Sequence, residues 1–243
     1  MKTRTILLTA ILLTVLTTSS RCINNREVIT GSKNYITRDY KVADFDKLNL
    51  GTVADVYYTQ SADDSWTLQV YGPDNIVELV NVDVKDNTLI VNMKKKGVKK
   101  ANLKINISSP NLQHVRTHGV GNFNIKEKFE TTNFTLRNEG VGGIKINDIM
   151  CTDLDIRSEG VGNVSIKGQA EKASLITQGV GNIDADELKS DTVVATADGV
   201  GSISCYAKQS INAKVNGVGS ISYKGNPADK QVRKNGIGSI KQK

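Results

Sequence analysis

The sequence predicts an all-β chain: a β-solenoid, or parallel β-helix, with coils of about 20 residues and a β-rich N-terminal part. Three observations predict it. A Gly-Val-Gly phrase starts at Gly119, Gly140, Gly160, Gly179, Gly199 and Gly217, and returns as Gly-Ile-Gly at Gly236. Successive first glycines lie 21, 20, 19, 20, 18 and 19 residues apart. A fixed period of this kind marks coils that stack on their neighbours to bury an apolar face. Finally, apolar and polar residues alternate on both sides of every phrase, which is the period of a strand with one buried face.

The elements of one coil follow from that alternation. Four residues before the first glycine stand Val115, Leu136, Ile156, Leu175, Ala195, Ala213 and Val232; six before, from the second coil on, stand Phe134, Leu154, Ala173, Val193 and Ile211. These form the inward side of one strand. After the glycines, Phe123 and Ile125, Ile144 and Ile146, Val164 and Ile166, Ile183 and Ala185, Ile203 and Cys205, and Ile221 and Tyr223 form the inward side of a second. Glycine reaches positive φ without steric cost, so Gly-x-Gly supplies the corner between them. Asn122, Asn163 and Asn182, then Ser202, Ser220 and Ser239, follow the corner and predict a hydrogen-bonded ladder. A third, variable segment such as Asp148–Asp153 closes each coil. Helical repeats and leucine-rich repeats are excluded, because neither the 3.6 period nor the leucine and asparagine pattern is present.

Upstream, residues 1–22 read as an export signal. Lys2 and Arg4 form a basic start, and Ile6–Leu16 form an apolar run too short to span a bilayer. Cys22 then suggests a lipidated N-terminus, although Ser19 and Arg21 depart from the usual lipobox; cleavage after Ser20 is the alternative. Residues 23–33 are polar and predict a tether. Strands are predicted at Tyr35–Val42, Lys47–Leu50, Val53–Thr59, Trp66–Tyr71, Val82–Val84, Thr88–Met93 and Asn102–Ser108, with a turn at Asp86-Asn87. Asp74 is placed to cap a single helical turn, Ile76–Val80. The lysine run Lys94–Lys96 with Lys99 and Lys100 reads as a solvated hairpin loop, with contact to an anionic surface as the alternative. Residues 34–110 thus form a β-rich N-terminal part, and 111–243 the glycine-marked β-helix.

Charge narrows the function. The formal charge of +7 falls to about +4 when Lys2, Arg4 and Arg21 leave with the signal, which argues against a dedicated nucleic-acid binder. Cys205 falls on an inward position and Cys151 lies more than two coils away, so no disulfide is expected between them.

The series Asp44-Phe45-Asp46-Lys47-Leu48, Ala54-Asp55-Val56-Tyr57-Tyr58-Thr59-Gln60, Asp86-Asn87-Thr88-Leu89 and the Gly-Val-Gly repeats resembles the head GIN domain family, labelled putative autotransporter adhesin and common in Bacteroidetes. The resemblance spans about residues 34–240. It implies a right-handed parallel β-helix in an exported, often lipid-anchored protein, and it carries no catalytic motif.

Several residues are candidates for a site. Arg116, Arg137 and Arg157 share one outward position of consecutive coils, and Glu139 and Glu159 another. Stacked about 4.8 Å apart, they describe a charged groove for an anionic or sugar ligand, paired carboxylates for glycoside cleavage, or a salt-bridge ladder that offsets like-charge stacking. Tyr57 and Tyr71 fall on the outward parity of their strands near Thr59, Thr67 and Gln69. They make a candidate glycan face if the strands are neighbours, and cross-strand packing otherwise. His114 and His118 are about 13 Å apart on a strand and cannot share an ion. No metal or cofactor pattern appears. The expectation is a non-enzymatic, exported envelope or surface protein of a Gram-negative bacterium, adhesin-like, with a glycan or surface protein as partner. A β-helix polysaccharide-active enzyme and a periplasmic structural or signalling component are the alternatives.

Overall fold

The computed structural model describes residues 28–94 and 97–243. The signal segment, Cys22 and the start of the predicted tether lie outside them. The described chain is a stack of parallel coils with two long sheets meeting at the glycine corner.

The corner follows from the sequence. In six of the seven phrases the second glycine takes positive φ, as at Gly142 (149°), Gly162 (147°) and Gly181 (144°). A Cβ on either glycine would also run into backbone of the coil behind, as Gly162 would with the Gly142 carbonyl. The middle residues form a bridge ladder from Val53 through Val120 and Val141 to Ile237. The residues after the corner make the predicted ladder: Gly143 N–H donates to Asn122 Oδ1 (2.9 Å), Asn182 N–H to Asn163 Oδ1 (2.9 Å) and Ser202 N–H to Asn182 Oδ1 (2.8 Å).

Beyond the corner the coils are more continuous than the sequence suggests. Strands β13 (Ile144–Ser158), β14 (Val164–Thr177), β15 (Ile183–Ala197) and β16 (Ile203–Val215) run through the closing segment without a break. The closing segment is a third face that buries Ile149, Ala170, Leu188 and Ala207. Its variable sequence hides this, because register shifts fall at its start in each pair. The core is otherwise as the alternation predicts, with one exception. In β18 (Asp229–Lys234) every residue is exposed, and Val232, at a core position by count, is 53% exposed. Lys230 and Lys234 occupy the neighbouring inward positions, and Lys230 Nζ donates to Gln242 Oε1 (3.0 Å). Inward-pointing charge on an edge strand discourages further strand addition.

The N-terminal part supplies coils of the same stack, out of chain order. Strands β3 (Lys47–Gly51) and β4 (Ala54–Gln60) pair in parallel with β10 (His114–Thr117) and β11 (Phe123–Glu130). On their far side lie β7 (Thr88–Met93) and β9 (Leu103–Ser109), also parallel. The coil of residues 47–60 is therefore sandwiched between two later segments. Three antiparallel strands finish the sheets. Strand β6 (Val80–Lys85) pairs with β7 through a turn at Asp86 and Asn87, both at positive φ. Strand β5 (Thr67–Pro73) joins β9 to β2 (Tyr35–Tyr40).

Two local expectations are corrected. Part of the predicted tether is a strand: β1 (Val28–Thr30) pairs with β8 (Gly97–Lys99), on the far side of the lysine run. The helical turn α1 is Asp74–Val77, and Pro73 rather than Asp74 holds the N-cap position. The Asp74 carboxylate instead accepts from Ser32 Oγ (2.6 Å) and Asn34 Nδ2 (2.8 Å), pinning residues 32–34 to the body. These bonds hold its carboxyl below the usual range.

Candidate functional site

Two outer faces meet at the corner ridge, and each carries one of the predicted constellations. The first is the sheet β2-β5-β9-β4-β11. Alternation places Tyr71 and Tyr57 outward, as predicted, but their strands are not neighbours, because β9 runs between them. Register sets the outward rows. One is Thr37, Tyr71, Lys104 and Asp55; the next is Asp39, Gln69, Asn106, Tyr57 and Asn124. Tyr71 packs on Tyr35, with ring centroids 5.5 Å apart. Tyr57 lies under the Lys126 ammonium, 4.7 Å from its ring centroid, a cation–π distance. The amides between the tyrosines are aligned: Gln69 Nε2 donates to Asp39 Oδ1 (2.9 Å) and Asn102 Nδ2 to the Tyr35 hydroxyl (3.1 Å). The result is two aromatic platforms separated by a strip of amide and lysine groups. Tyr35 and Lys126 were missed by sequence reasoning. Their outward parity was legible, but the pairing that brings them to Tyr71 and Tyr57 was not.

The second face is the sheet β7-β3-β10, continued by β12 (Asn133–Asn138) and the later coils. Arg116, Arg137 and Arg157 do stack in register. They do not form a salt-bridge ladder. Arg116 makes a two-pronged pair with Glu139, from Nε to Oε1 (2.9 Å) and from Nη2 to Oε2 (2.6 Å). Among the described residues no ion pair joins Arg137, Arg157 or Glu159. Arg157 Nε is buried without a partner. The hydrogen bond from Arg116 holds the Glu139 carboxyl below its usual range and raises Arg116 in turn. A carboxylate held ionised is poorly placed to donate a proton to a leaving group, the role that glycoside cleavage requires of one of its pair.

Other chemistry is sparse. His118 Nε2 is hydrogen-bonded to Asn49 Oδ1 (2.8 Å), while His114 lies on the same strand face. Among the described residues no group of three or more His, Cys, Asp or Glu could hold a metal ion. Cys151 and Cys205 are free and buried, and burial pushes both thiols up to about 12, so neither is a ready nucleophile. No helix among the described residues is long and apolar enough to cross a membrane.

Fold and faces together define a parallel β-solenoid whose chemistry is displayed on open sheet surfaces. The chain belongs to the family described as putative auto-transporter adhesin, head GIN domain, whose model matches residues 44–227. It is similar to a solved protein from Bacteroides fragilis described as a putative adhesin. The two are 46% identical, the match covers 88% of this chain and 100% of that one, and the TM-score is 0.86. Two proteins from Parabacteroides distasonis share the fold. One, described as a putative lipid binding protein, is 24% identical over 89% of this chain and 100% of its own, with a TM-score of 0.66. The other, described as a putative adhesin, is 22% identical over the same shares, with a TM-score of 0.68. No curated protein matches.

Proposed function

We propose that the chain is a non-enzymatic, exported binding module of the cell envelope that works as an adhesin and holds a glycan on the β2-β5-β9-β4-β11 face. The observation that carries the reading is the pair of tyrosine platforms, Tyr71 with Tyr35 and Tyr57 with Lys126, flanking Gln69, Lys104 and Asn106. Sugar rings present C–H faces that stack on aromatic rings, and hydroxyls that pair with amides. Tyrosine supplies both an apolar face and a polar edge. The platforms are held by neighbours before any ligand arrives, which lowers the ordering cost of binding. The adhesin description of the Bacteroides fragilis relative and of the family supports the reading. The apolar run Ile6–Leu16 behind Lys2 and Arg4 supports export, and Cys22 offers a lipid anchor.

The test is a screen of the purified chain against an oligosaccharide array, repeated with Tyr57→Ala and Tyr71→Ala. Binding to at least one glycan, weakened about tenfold or more by either substitution, is the expected result. Absence of any glycan binding, or binding that both variants keep in full, would refute it.

A further inference from the structure

The second face carries a site of different chemistry. A groove of about 330 Å³ runs across β7, β3, β10 and β12, lined on its outward side by Lys47, Asn49, Thr88, His114, Arg116, Thr135 and Arg137. We infer that this groove binds an acidic polysaccharide through the carboxylate or sulfate groups along its chain. The inference goes beyond the glycan face proposed above and stands on different residues.

The lining contains Lys47, Arg116, Arg137 and His114, and no carboxylate. Two carboxylates border the groove without lining it: Glu139, engaged edge-on by Arg116, and Asp155, which follows Thr135 in its row. The pair with Glu139 fixes the Arg116 guanidinium, while Arg137, one strand along, has no ion-pair partner among the described residues. Stacked like charges about 4.8 Å apart are unfavourable unless something neutralises them. The fold does not demand arginine here, because the same row, after Arg157, continues as Ile176 and Thr196 before Lys214 and Arg233. Basic residues of this row therefore fall in two groups, Arg116 to Arg157 at and beside the groove and Lys214 with Arg233 toward the last coil, and only the first group stands beside the further cation Lys47.

The shape selects the ligand. Two outward rows run side by side across the strands: Thr88, Lys47, His114 and Thr135, and beside it Asn49, Arg116 and Arg137. Each step along a row is one strand spacing, about 4.8 Å, close to the length of one sugar unit. On each of β3, β10 and β12 a cation thus stands beside an amide, imidazole or hydroxyl group: Lys47 with Asn49, Arg116 with His114, and Arg137 with Thr135. Asn49 accepts the His118 bond on its Oδ1, which leaves its amide N–H groups for the ligand. No aromatic side chain lines the groove to stack a nucleobase.

The test measures binding of the purified chain to polygalacturonate and dextran sulfate, with neutral dextran and phosphatidylglycerol vesicles alongside. The variants are Arg137→Ala, Lys47→Gln and, as a control of equal charge loss, Arg233→Ala on the exposed last strand. Binding is expected to an acidic chain but not to neutral dextran, weakened about tenfold by Arg137→Ala, less by Lys47→Gln, and within about twofold of the parent for Arg233→Ala. It should also fall as salt is raised. No acidic-chain binding, an equal loss with Arg233→Ala, or binding to the vesicles without binding to either polysaccharide would overturn the inference.

Discussion

From Gly119 onward every corner reads Gly-Val-Gly or Gly-Ile-Gly, yet in the coil built from β3 and β4 the same corner reads Thr52-Val53-Ala54. The two corners are in register, since Val53 bridges Val120. The difference lies in what stands behind each. A Cβ on Gly119 or Gly121 would strike the backbone of Thr52 or Ala54, and each later glycine repeats that relation with the coil before it. Behind Thr52 and Ala54 the neighbouring strands β7 and β9 are joined by a longer segment that contains β8, not by a tight corner. Glycine is thus demanded by close stacking of one corner on another. Where stacking stops, side chains return, and both candidate ligand faces lie in that same neighbourhood.

This contrast can be broken at several levels. The largest effect belongs to the repeat corner. Gly181→Val forces a β-branched residue into φ 144° and against the Gly162 carbonyl, and should cost at least about 4 kcal/mol or abolish folding. Ala54→Gly at the equivalent N-terminal corner should cost only about 1 kcal/mol. Urea denaturation of both variants checks the pair, and similar losses would contradict the stacking argument.

The next effect compares mid-stack with the last coil. Leu175 is fully buried and Val232 is 53% exposed, although both hold the same place in the repeat. Leu175→Ala should cost about 3 kcal/mol and Val232→Ala less than about 0.5 kcal/mol. Thermal or chemical denaturation would show whether the last coil contributes core.

The smallest effect is at the ion pair between coils. Glu139→Gln should cost about 0.5 kcal/mol, because Arg116 is half exposed. Its folded carboxyl is held below the unfolded value, so its contribution is complete above the ordinary carboxylate range and declines as pH falls through the lower folded value. The parent and the variant should therefore converge in stability at acid pH, and a gap that widens on acidification would contradict the pairing.

How much of this was legible in the sequence depends on the kind of contact. The glycine corner, the inward ladders and the asparagine–serine ladder repeat at fixed intervals, so counting finds them. Strand order in residues 34–110 does not repeat. Nothing in the sequence of Lys47–Gln60 signals that it lies between β7–β9 and β10–β11, since parity fixes a side chain's face and not its neighbouring strand. The Tyr71–Tyr35 and Tyr57–Lys126 contacts were hidden for that reason. The arginine ladder was legible because its three members sit in consecutive repeats, but its pairing was not. Among the described residues only Arg116 of the three reaches a carboxylate, one coil along, and Lys47 and Thr88 enter the groove through the same out-of-order stacking. Val232 counts as core by period and is exposed because, among the described residues, no coil stacks on the outer side of β18.

Adhesion requires the proposed binding face to be presented outside the cell. The most direct measurement is accessibility on intact cells that express the chain with an epitope tag after Lys243. Proteinase K digestion and antibody labelling are compared before and after permeabilisation. Labelling and cleavage on intact cells are expected; protection until the cells are permeabilised would contradict surface display.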